Sequence, residues 1–538
     1  MKVPRKHPEF ISPIPTEVLP PGWSWATPRK IAASEPHALA IGPFGSSLKV
    51  NDYTDAGVPL VFVRNIRSET FGDHRSKYVS QEKAQALRAH SVAGGDVLIT
   101  KMGEPPGDTC IYPESQPPGI ITADCIKVRV NATMADPRFV CYAIRSPGVR
   151  RRVVAITKGV AQQKVSLGRF ESLDIPLAPL PEQRRIVAKI EELFSDLDAG
   201  VAALERVRAN LKRYRAAVLK AAVEGRLTEE WRTRHPATEP AAKLLERILA
   251  ERRAKWEQEQ LRKFKETGKS PPKGWKEDFK DPSAALTDGL GSLPPGWSWS
   301  NIDRVADVQG GIQKQPKRTP ANNAYPYLRV ANVRRDLLLL DDMEKFELFP
   351  GELERLRLEP NDLLIVEGNG SLTEIGRSAI WRGEILNCVH QNHIIRVRPL
   401  GVLTAFINMY WNSPNGARRV MAEAASTSGL YTLSVTKVCR LPVPIPPIAE
   451  QAEIVAEVDR RLSVAHAAET QVEHALQRAA RLRQAILKRA FEGKLVPQDP
   501  TDEPAEKLVE QVSAGVGADT VTSTKAAAKK RGRTRVRA

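Results

Sequence analysis

Two stretches of the chain carry apolar residues at heptad spacing. In the first, Ile190, Leu197, Leu204, Leu211 and Val218 recur every seven residues, with Ile186, Leu193, Gly200, Val207, Tyr214 and Ala221 interleaved. That pattern predicts a coiled-coil helix over about 182–224, roughly 64 Å long at 1.5 Å per residue. Pro176, Pro179 and Pro181 bar helix upstream, and Gly225 is suited to end it. The second stretch, about 450–492, follows Pro444, Pro446 and Pro447. It places Val458, Ala465, Val472, Ala479 and Ile486 on one seam and Ile454, Arg461, Ala468, Ala475, Leu482 and Arg489 on the other. Its small residues let a Leu-rich helix approach closely, so the two are expected to pair. Acids such as Glu182, Glu191, Glu450 and Glu457 crowd the first halves, and bases such as Arg206, Arg213, Arg478 and Lys488 the second halves. Antiparallel pairing matches these ends; each helix also complements its own dipole.

The chain repeats itself. LPPGWSW stands at Leu19–Trp25 and again at Leu293–Trp299, an offset of 274. PLAPLPEQRRIVAKI around Glu182 and Gln183 matches PIPPIAEQAEIVAEV around Glu450 and Gln451 at an offset of 268. The same offset aligns Ala222, Glu224, Gly225 and Leu227 with Ala490, Glu492, Gly493 and Leu495. Even Thr238–Glu246 is echoed by Asp502–Glu510.

Between the anchors, segments of about 26–175 and 300–443 share only a skeleton. Asn65 after PLVFVR corresponds to Asn332 after PYLRVA, GGDVLIT at Gly94 to PNDLLIV at Pro360, and IKVRV at Ile126 to IIRVRP at Ile394. Short β-branched runs opened by Gly, Asn or Asp read as strands. The expected fold class is α+β: two α+β domains separated by two long helices in an antiparallel coiled coil, with a pseudo-two-fold internal repeat. The expected boundaries are an N-terminal extension 1–15, a first α+β domain 16–180, a first long helix 181–227, a helical segment and linker 228–292, a second α+β domain 293–446, a second long helix 447–495, and a disordered basic tail 496–538.

With 538 residues the chain is modular. Lys plus Arg number 81 and Asp plus Glu 63, and 81 − 63 gives a formal charge of +18. That excess favours a polyanionic partner, nucleic acid first and an anionic membrane second. Charge breaks every apolar run short of a membrane span, and the N-terminal residues hold no apolar stretch of signal length, so a cytoplasmic location is expected. Cys110, Cys125, Cys141, Cys388 and Cys439 form no CxxC and read as buried thiols, so no metal is predicted. His390 and His393 resemble an HxxH pair, but a strand would place them on opposite faces, and they read as structural. The terminal KKRGRTRVRA is a solubilising run with weak phosphate affinity.

Catalytic machinery is missing. There is no Walker loop, no FxGxG cofactor loop and no [DNS]PP[YFW] string, and NSPNG at Asn412 has the wrong residue after its proline. Asp96 and Asp362 open strands that no ExK follows, so both read as turn residues and catalytic residues are expected to be absent. The divergent segments instead supply phosphate-holding and base-reading side chains. The DNA-binding candidates in the first are Lys49, Arg64, Asn65, Arg67, His74, Arg75 and Lys77, with Lys158, Gln162, Gln163 and Lys164 on a second loop. In the second they are Gln309, Gln313, Lys314, Gln315, Lys317 and Arg318, joined by Arg329, Asn332, Arg334 and Arg335. Arg and Lys suit guanine edges and phosphates, and Asn and Gln suit adenine. Taken singly each reads first as a solvated surface charge, so only the clusters as sets point to DNA, and Asn65 and Asn332 read equally as turn formers. Trp23, Trp25, Trp297 and Trp299 lie in the repeated anchors and are expected to pack.

These strings together resemble the specificity (S) subunits of type I restriction-modification enzymes, the HsdS family, over about residues 15–500. The carriers are LPPGWSW in each half, IGPFGSSLK at Ile41, GVPLVFVRNI at Gly57, GDVLIT at Gly95, IPLAPLPEQRRIVAKIEELFSDLDA, and the closing AVLKAAVEGRL and AILKRAFEGKL. The second half departs from the pattern with QGGIQKQ where the first has PFGS. The resemblance implies two target recognition domains, each reading half of a split double-stranded DNA site, with the helices as a ruler. It implies modification (methyltransferase) subunits that carry S-adenosylmethionine and methylate adenine N6, and restriction (motor-nuclease) subunits that use ATP and magnesium; the chain itself would hold no cofactor. Two other readings remain open: an orphan specificity subunit serving a methyltransferase only, and a coiled-coil scaffold that binds DNA without specificity.

Overall fold

A computed structural model describes residues 18–67, 69–72, 77–158, 163–284, 289–427 and 430–510. The expected extension 1–15, and the tail beyond 510, lie outside the described residues. The chain divides into two compact units, Met1–Leu204 with His474–Ala538, and Glu205–Glu473.

In the first unit the strands are β1 (Ser24–Ala26), β2 (Leu39–Ile41), β3 (Val58–Val61), β4 (Tyr78–Val79), β5 (Ser91–Val92), β6 (Val97–Thr100), β7 (Thr109–Ile111), β8 (Gly119–Ile121), β9 (Cys125–Val128) and β10 (Ile175–Leu177). An antiparallel sheet runs in the order β2-β9-β6-β7, and a second in the order β4-β3-β8-β5, where β3 and β8 are parallel. The β-branched run VLIT makes β6 a fully buried central strand, as its lack of polar alternation requires. The repeated WSW string forms β1, which pairs with the Pro-rich β10 just before the long helix.

The second unit rebuilds this pattern. Its strands are β11 (Ser298–Asn301), β12 (Ala306–Gly310), β13 (Ala324–Leu328), β14 (Val333–Arg334), β15 (Leu337–Leu338), β16 (Glu344–Glu347), β17 (Asp362–Val366), β18 (Gly368–Asn369), β19 (Ser378–Trp381), β20 (Val389–His390), β21 (Ile394–Pro399), β22 (Ala425–Thr427), β23 (Leu430–Thr432) and β24 (Pro442–Ile445). The sheet β12-β21-β17-β19 matches β2-β9-β6-β7 strand for strand, and β16-β13-β20 matches β4-β3-β8, with β13 and β20 again parallel. β11 pairs with β24 as β1 does with β10.

Two helices of 44 residues, Leu180–Val223 and Ile448–Phe491, occupy the heptad stretches. Inside each unit the pairing is antiparallel. In the first unit, Ile186, Ile190 and Phe194 near the start of the first helix share a core with Leu487 and Ala490 near the end of the second. In the second unit, Val218 and Ala222 share one with Ile454 and Val458, and Arg215 donates to Glu469 at 3.3 Å. Val458, Ala465 and Val472 are buried; Leu193, Leu197, Leu204, Leu211, Ala479 and Ile486 are half-buried. Leu482, expected on the seam, is instead 52% exposed.

The helical segment expected within 228–292 is the helix Ala241–Glu266, which buries Leu244, Leu245 and Ile248 in the core of the second unit. One boundary moves. Residues 496–510, expected in a disordered tail, pack in the first unit, where Ala505 is fully buried and its amide donates to Gly22 O at 2.8 Å. Asp502 also accepts from Arg185 at 2.6 Å. Both placements follow from the echo between Thr238–Glu246 and Asp502–Glu510, because Ala241 makes the same 2.8 Å bond to Gly296 in the other WSW repeat.

Candidate nucleic-acid interface

Each unit builds the same platform. β2 and β6 both flank β9 and run in the same direction, so the loops after Ile41 and Thr100 leave from one end of the sheet. The loops after Gly310 and Val366 leave from the matching end of the other. A glycine begins the first loop in both: a Cβ on Gly42 would stand 2.1 Å from Thr122 O, and one on Gly311 2.2 Å from His390 O. This close backbone approach survives the change from PFGS to QGGIQKQ.

Behind the loops, both platforms are held by equivalent buried groups. Asp96 caps the Ala93 amide at 2.9 Å and takes Arg129 in a fork at 2.7 and 2.8 Å. Asp362 caps the Glu359 amide at 2.7 Å and takes Arg398 at 2.6 and 2.8 Å. The Asp96 hydrogen bond comes first among the causes that raise the Arg129 pKa, and the Asp362 bond does the same for Arg398. Both aspartates thus stand as turn residues with a cation partner that the sequence did not reveal. Gln183 accepts from Asp136 N at 2.9 Å and donates to Met134 O and Ala178 O at 3.0 and 2.8 Å. Gln451 accepts from Leu403 N and donates to Pro446 O, each at 2.9 Å. The indoles of Trp23 and Trp297 donate to Glu182 and Glu450. Trp25 and Trp299 are half-buried under Arg152 and Arg419.

Asn65 and Asn332 have the hydrogen bonds of turn formers, one of the two readings that the sequence left open. Both are 3% exposed. Asn65 accepts from Phe62 N at 2.8 Å and donates to Gly72 O at 2.6 Å; Asn332 accepts from Arg329 N and donates to Leu339 O, both at 2.8 Å. Two further candidates are tied to carboxylates within the protein. Arg318 forms a fork with Glu352 at 2.8 and 2.9 Å, which holds the Glu352 carboxyl down at about 2. Arg329 reaches Asp342 at 2.6 Å and Glu344 at 2.9 Å. Both tie the second unit's loops to carboxylates of the same unit.

In the first unit Lys49, Arg64, Arg67, Lys158 and Lys164 are exposed. The Arg64 guanidinium lies 3.9 Å over the Phe62 ring, and Lys77 pairs with Asp55 at 3.1 Å. Bridges from Met102 and Lys158 to Lys164 bring the second predicted loop, with half-buried Gln163, beside the loop after β6. His74, Arg75 and Gln162 lie outside the described residues. Sequence reasoning missed Lys101, whose ammonium sits 4.6 Å over the 59%-exposed Phe44 and whose pKa burial lowers. Its place directly after the GDVLIT strand was the available signal.

In the second unit Gln313, Lys314, Lys317, Arg334 and Arg335 are exposed, and Gln309 and Gln315 half-buried. Lys314 pairs with Glu344 at 3.0 Å, and Arg335 donates to Asn412 at 2.8 Å. Buried Arg377, which was also missed, ties the turn after β13 by donating to Val333 O and Val330 O at 2.7 and 2.9 Å. His390 is fully buried and His393 is 54% exposed at its side chain, so they do not converge.

Cys110, Cys125, Cys141 and Cys388 are buried, and burial pushes the Cys125 and Cys388 thiols up to about 12. Among the described residues no cluster of three or more His, Cys, Asp or Glu could hold a metal ion, and no helix is long and apolar enough to cross a membrane.

The fold and the platforms define a duplicated α+β protein with two long helices that pair antiparallel within each unit. No family model matches the chain. It is 28% identical over 387 residues to the Type I restriction enzyme EcoKI specificity subunit of Escherichia coli (strain K12), spanning 70% of this chain and 71% of that protein. It is 26% identical over 391 residues to the StySPI specificity subunit of Salmonella potsdam, spanning 70% and 72%. A solved chain from work on complex assembly and conformational transition of the type I R-M system shares the fold, with a TM-score of 0.55 at 21% identity over 89% of this chain and all of that one. In sequence the chain is similar to specificity subunits of type I restriction enzymes, and in fold to a solved chain of the type I R-M system.

Proposed function

We propose that this chain reads a bipartite double-stranded DNA site and presents it to partner subunits that modify or cut the DNA. The observation that carries this reading is the pairing of conserved platform with changed loops. Sheet order, Gly42 and Gly311, and the Asp96–Arg129 and Asp362–Arg398 forks are duplicated, while the residues on the outgoing loops differ. One scaffold displaying two side-chain sets suits one task performed on two unlike half-sites. In this reading units 1 and 2 carry the first and second target recognition domains, 16–180 and 293–446.

Lys49, Lys101, Lys158 and Lys164 would hold phosphates in the first unit, with Gln163 beside them. Lys317, Arg334, Gln313 and Gln315 would take the corresponding place in the second. The long helices would set the distance between half-sites. Methyltransferase subunits carrying S-adenosylmethionine and motor-nuclease subunits using ATP and magnesium would be the partners, and the complex would act in the cytoplasm.

The test is to express the chain with its methyltransferase partner in a host and sequence the methylated bases. A split motif with methylated adenine on both strands is the expected result. A contiguous motif, or none, overturns the reading. Purified chain offered DNA, metal and S-adenosylmethionine alone should neither methylate nor cut.

A further inference from the structure

The segment after the first long helix forms an arm in the second unit that the duplicated platform does not need. Its base is fixed: Leu244, Leu245 and Ile248 are buried, and Arg252 hydrogen-bonds the carbonyls of Asp303 and Ala306. Beyond that point the helix carries its own small aromatic core. Trp256 stacks on Trp275 at 5.8 Å and meets Phe279 at 5.3 Å, and Phe264 meets the Trp275 edge at 5.9 Å. The returning chain is thereby folded back on the helix, and Asn301 fastens it by donating to Ser283 O at 3.0 Å.

The arm's surface is strongly basic. Residues 252–280 hold ten Lys and Arg against five Asp and Glu. Three of the five acids are used locally: Glu257 takes Lys276 and Arg253, and Glu259 and Glu266 take Arg262, while Glu277 and Asp278 are exposed and pair with no cation among the described residues. Lys255, Lys265, Lys269, Lys273 and Lys280 are exposed and form no ion pair among the described residues. Through Arg252 the arm's base is tied to the residues that open β12, the strand that runs into the candidate loop. Arg262, whose protonated form Glu259 chiefly stabilises, also feels the Glu354 carboxylate. Glu354 lies on the helix Glu352–Leu356, which anchors the candidate loop through Arg318.

We propose that this arm is an accessory phosphate clamp. Its five unpaired lysines hold the DNA backbone beside the second half-site and add affinity without adding sequence preference. The inference rests on the DNA-reading function proposed above. A rigid element with three of its five acids paired, and with five unpaired lysines that face solvent, has the chemistry of a backbone contact: ammonium groups neutralise phosphates and release counterions, but read no base edge.

The test uses the full chain assembled with its methyltransferase subunits and compares it with a variant bearing Lys255→Gln, Lys265→Gln, Lys269→Gln, Lys273→Gln and Lys280→Gln. Dissociation constants are measured on a duplex carrying the site and on a random duplex across a salt series. Each lost phosphate contact lowers the slope of log affinity against log salt by about 0.9, so losing five contacts should lower the slope by about 4.5 on both duplexes while their affinity ratio and the methylated motif stay unchanged. An unchanged slope, a changed motif, or loss of subunit assembly with unchanged DNA binding would each overturn the clamp. If the unaltered complex shows no preference for any site, the DNA-reading function fails instead. Thermal unfolding of a Trp275→Ala variant supplies the control for a collapsed arm.

Discussion

The indole of Trp297 donates to the buried carboxylate of Glu450 at 2.9 Å, and its repeat-mate Trp23 donates to Glu182 at 3.1 Å. Around this shared bond the two sites differ. Glu450 also accepts from Thr228 at 2.7 Å and from the Arg232 guanidinium. Glu182 keeps one oxygen with no hydrogen-bond partner, although it is only 2% exposed.

Neutralising the two carboxylates should therefore have unequal effects. Glu450→Gln leaves the half-buried Arg232 without its counter-charge, and should cost the second unit about 3 kcal/mol. Glu182→Gln removes a charge that no cation pairs directly, and should cost less than about 1 kcal/mol at neutral pH. Denaturant unfolding, followed in each variant by fluorescence, measures both.

Glu182 also sets a pH dependence. Burial raises its pKa above 4.5 in the folded state, despite the opposing Trp23 bond and the nearby Arg185. Its contribution to stability is then complete below the unfolded pKa and is lost as pH rises through the higher folded value. Glu182→Gln should abolish that decline, so the stability difference between wild type and variant should change between pH 4.5 and neutrality. A difference that stays constant over this range would show that burial does not raise the Glu182 pKa.

His390 acts with the opposite sign. Burial lowers its pKa from 6.5 to about 4, with the Ile394 carbonyl at 2.9 Å opposing the shift. The neutral ring is what the core accepts, so stability is present above pH 6.5 and drains away as the pH falls toward 4. A His390→Gln variant should unfold with a flatter acid limb than wild type, whatever its stability at pH 7.

Much of this architecture could be read from the chain because repetition exposed it. Glu182–Gln183 and Glu450–Gln451 recur in matched surroundings, and both pairs are buried at the start of the long helices. The charge pairs were less legible. Arg129 lies 33 residues from Asp96 and Arg398 36 from Asp362, so only the sheet brings them together. For the same reason Arg318 and Arg329 look available to a phosphate until Glu352, Asp342 and Glu344 fold against them. The seam shows a different limit. A straight helix drifts about 20° per heptad from a strict seven-residue register, and Leu482 lies four heptads after Ile454. The accumulated turn of roughly 80° faces Leu482 outward while Leu487 is fully buried.

The turn asparagines should affect stability and leave base choice alone. Asn65→Ala strands the Phe62 amide and the Gly72 carbonyl, and Asn332→Ala strands the Arg329 amide and the Leu339 carbonyl. Each should cost about 1–3 kcal/mol. Any variant whose complex with the methyltransferase subunits still methylates DNA should write the wild-type motif; an altered motif would return these residues to the reading surface.

The long helices give the sharpest test of the proposed bipartite reading. Each spans 44 residues, and the stretch between the well-packed ends carries only half-buried or exposed Leu204, Val207 and Leu211 on the first helix. Removing seven residues from that stretch, and the seven opposite them from the second helix, preserves the heptad register while shortening each rod by about 10 Å. If the helices measure the gap between half-sites, the methylated motif should keep both half-sites and lose about three base pairs of unread spacer, since duplex DNA rises 3.4 Å per base along each strand. Deleting seven residues from one helix alone breaks the pairing and should abolish methylation. A doubly shortened protein that still selects the original spacing would show that something other than helix length sets the gap.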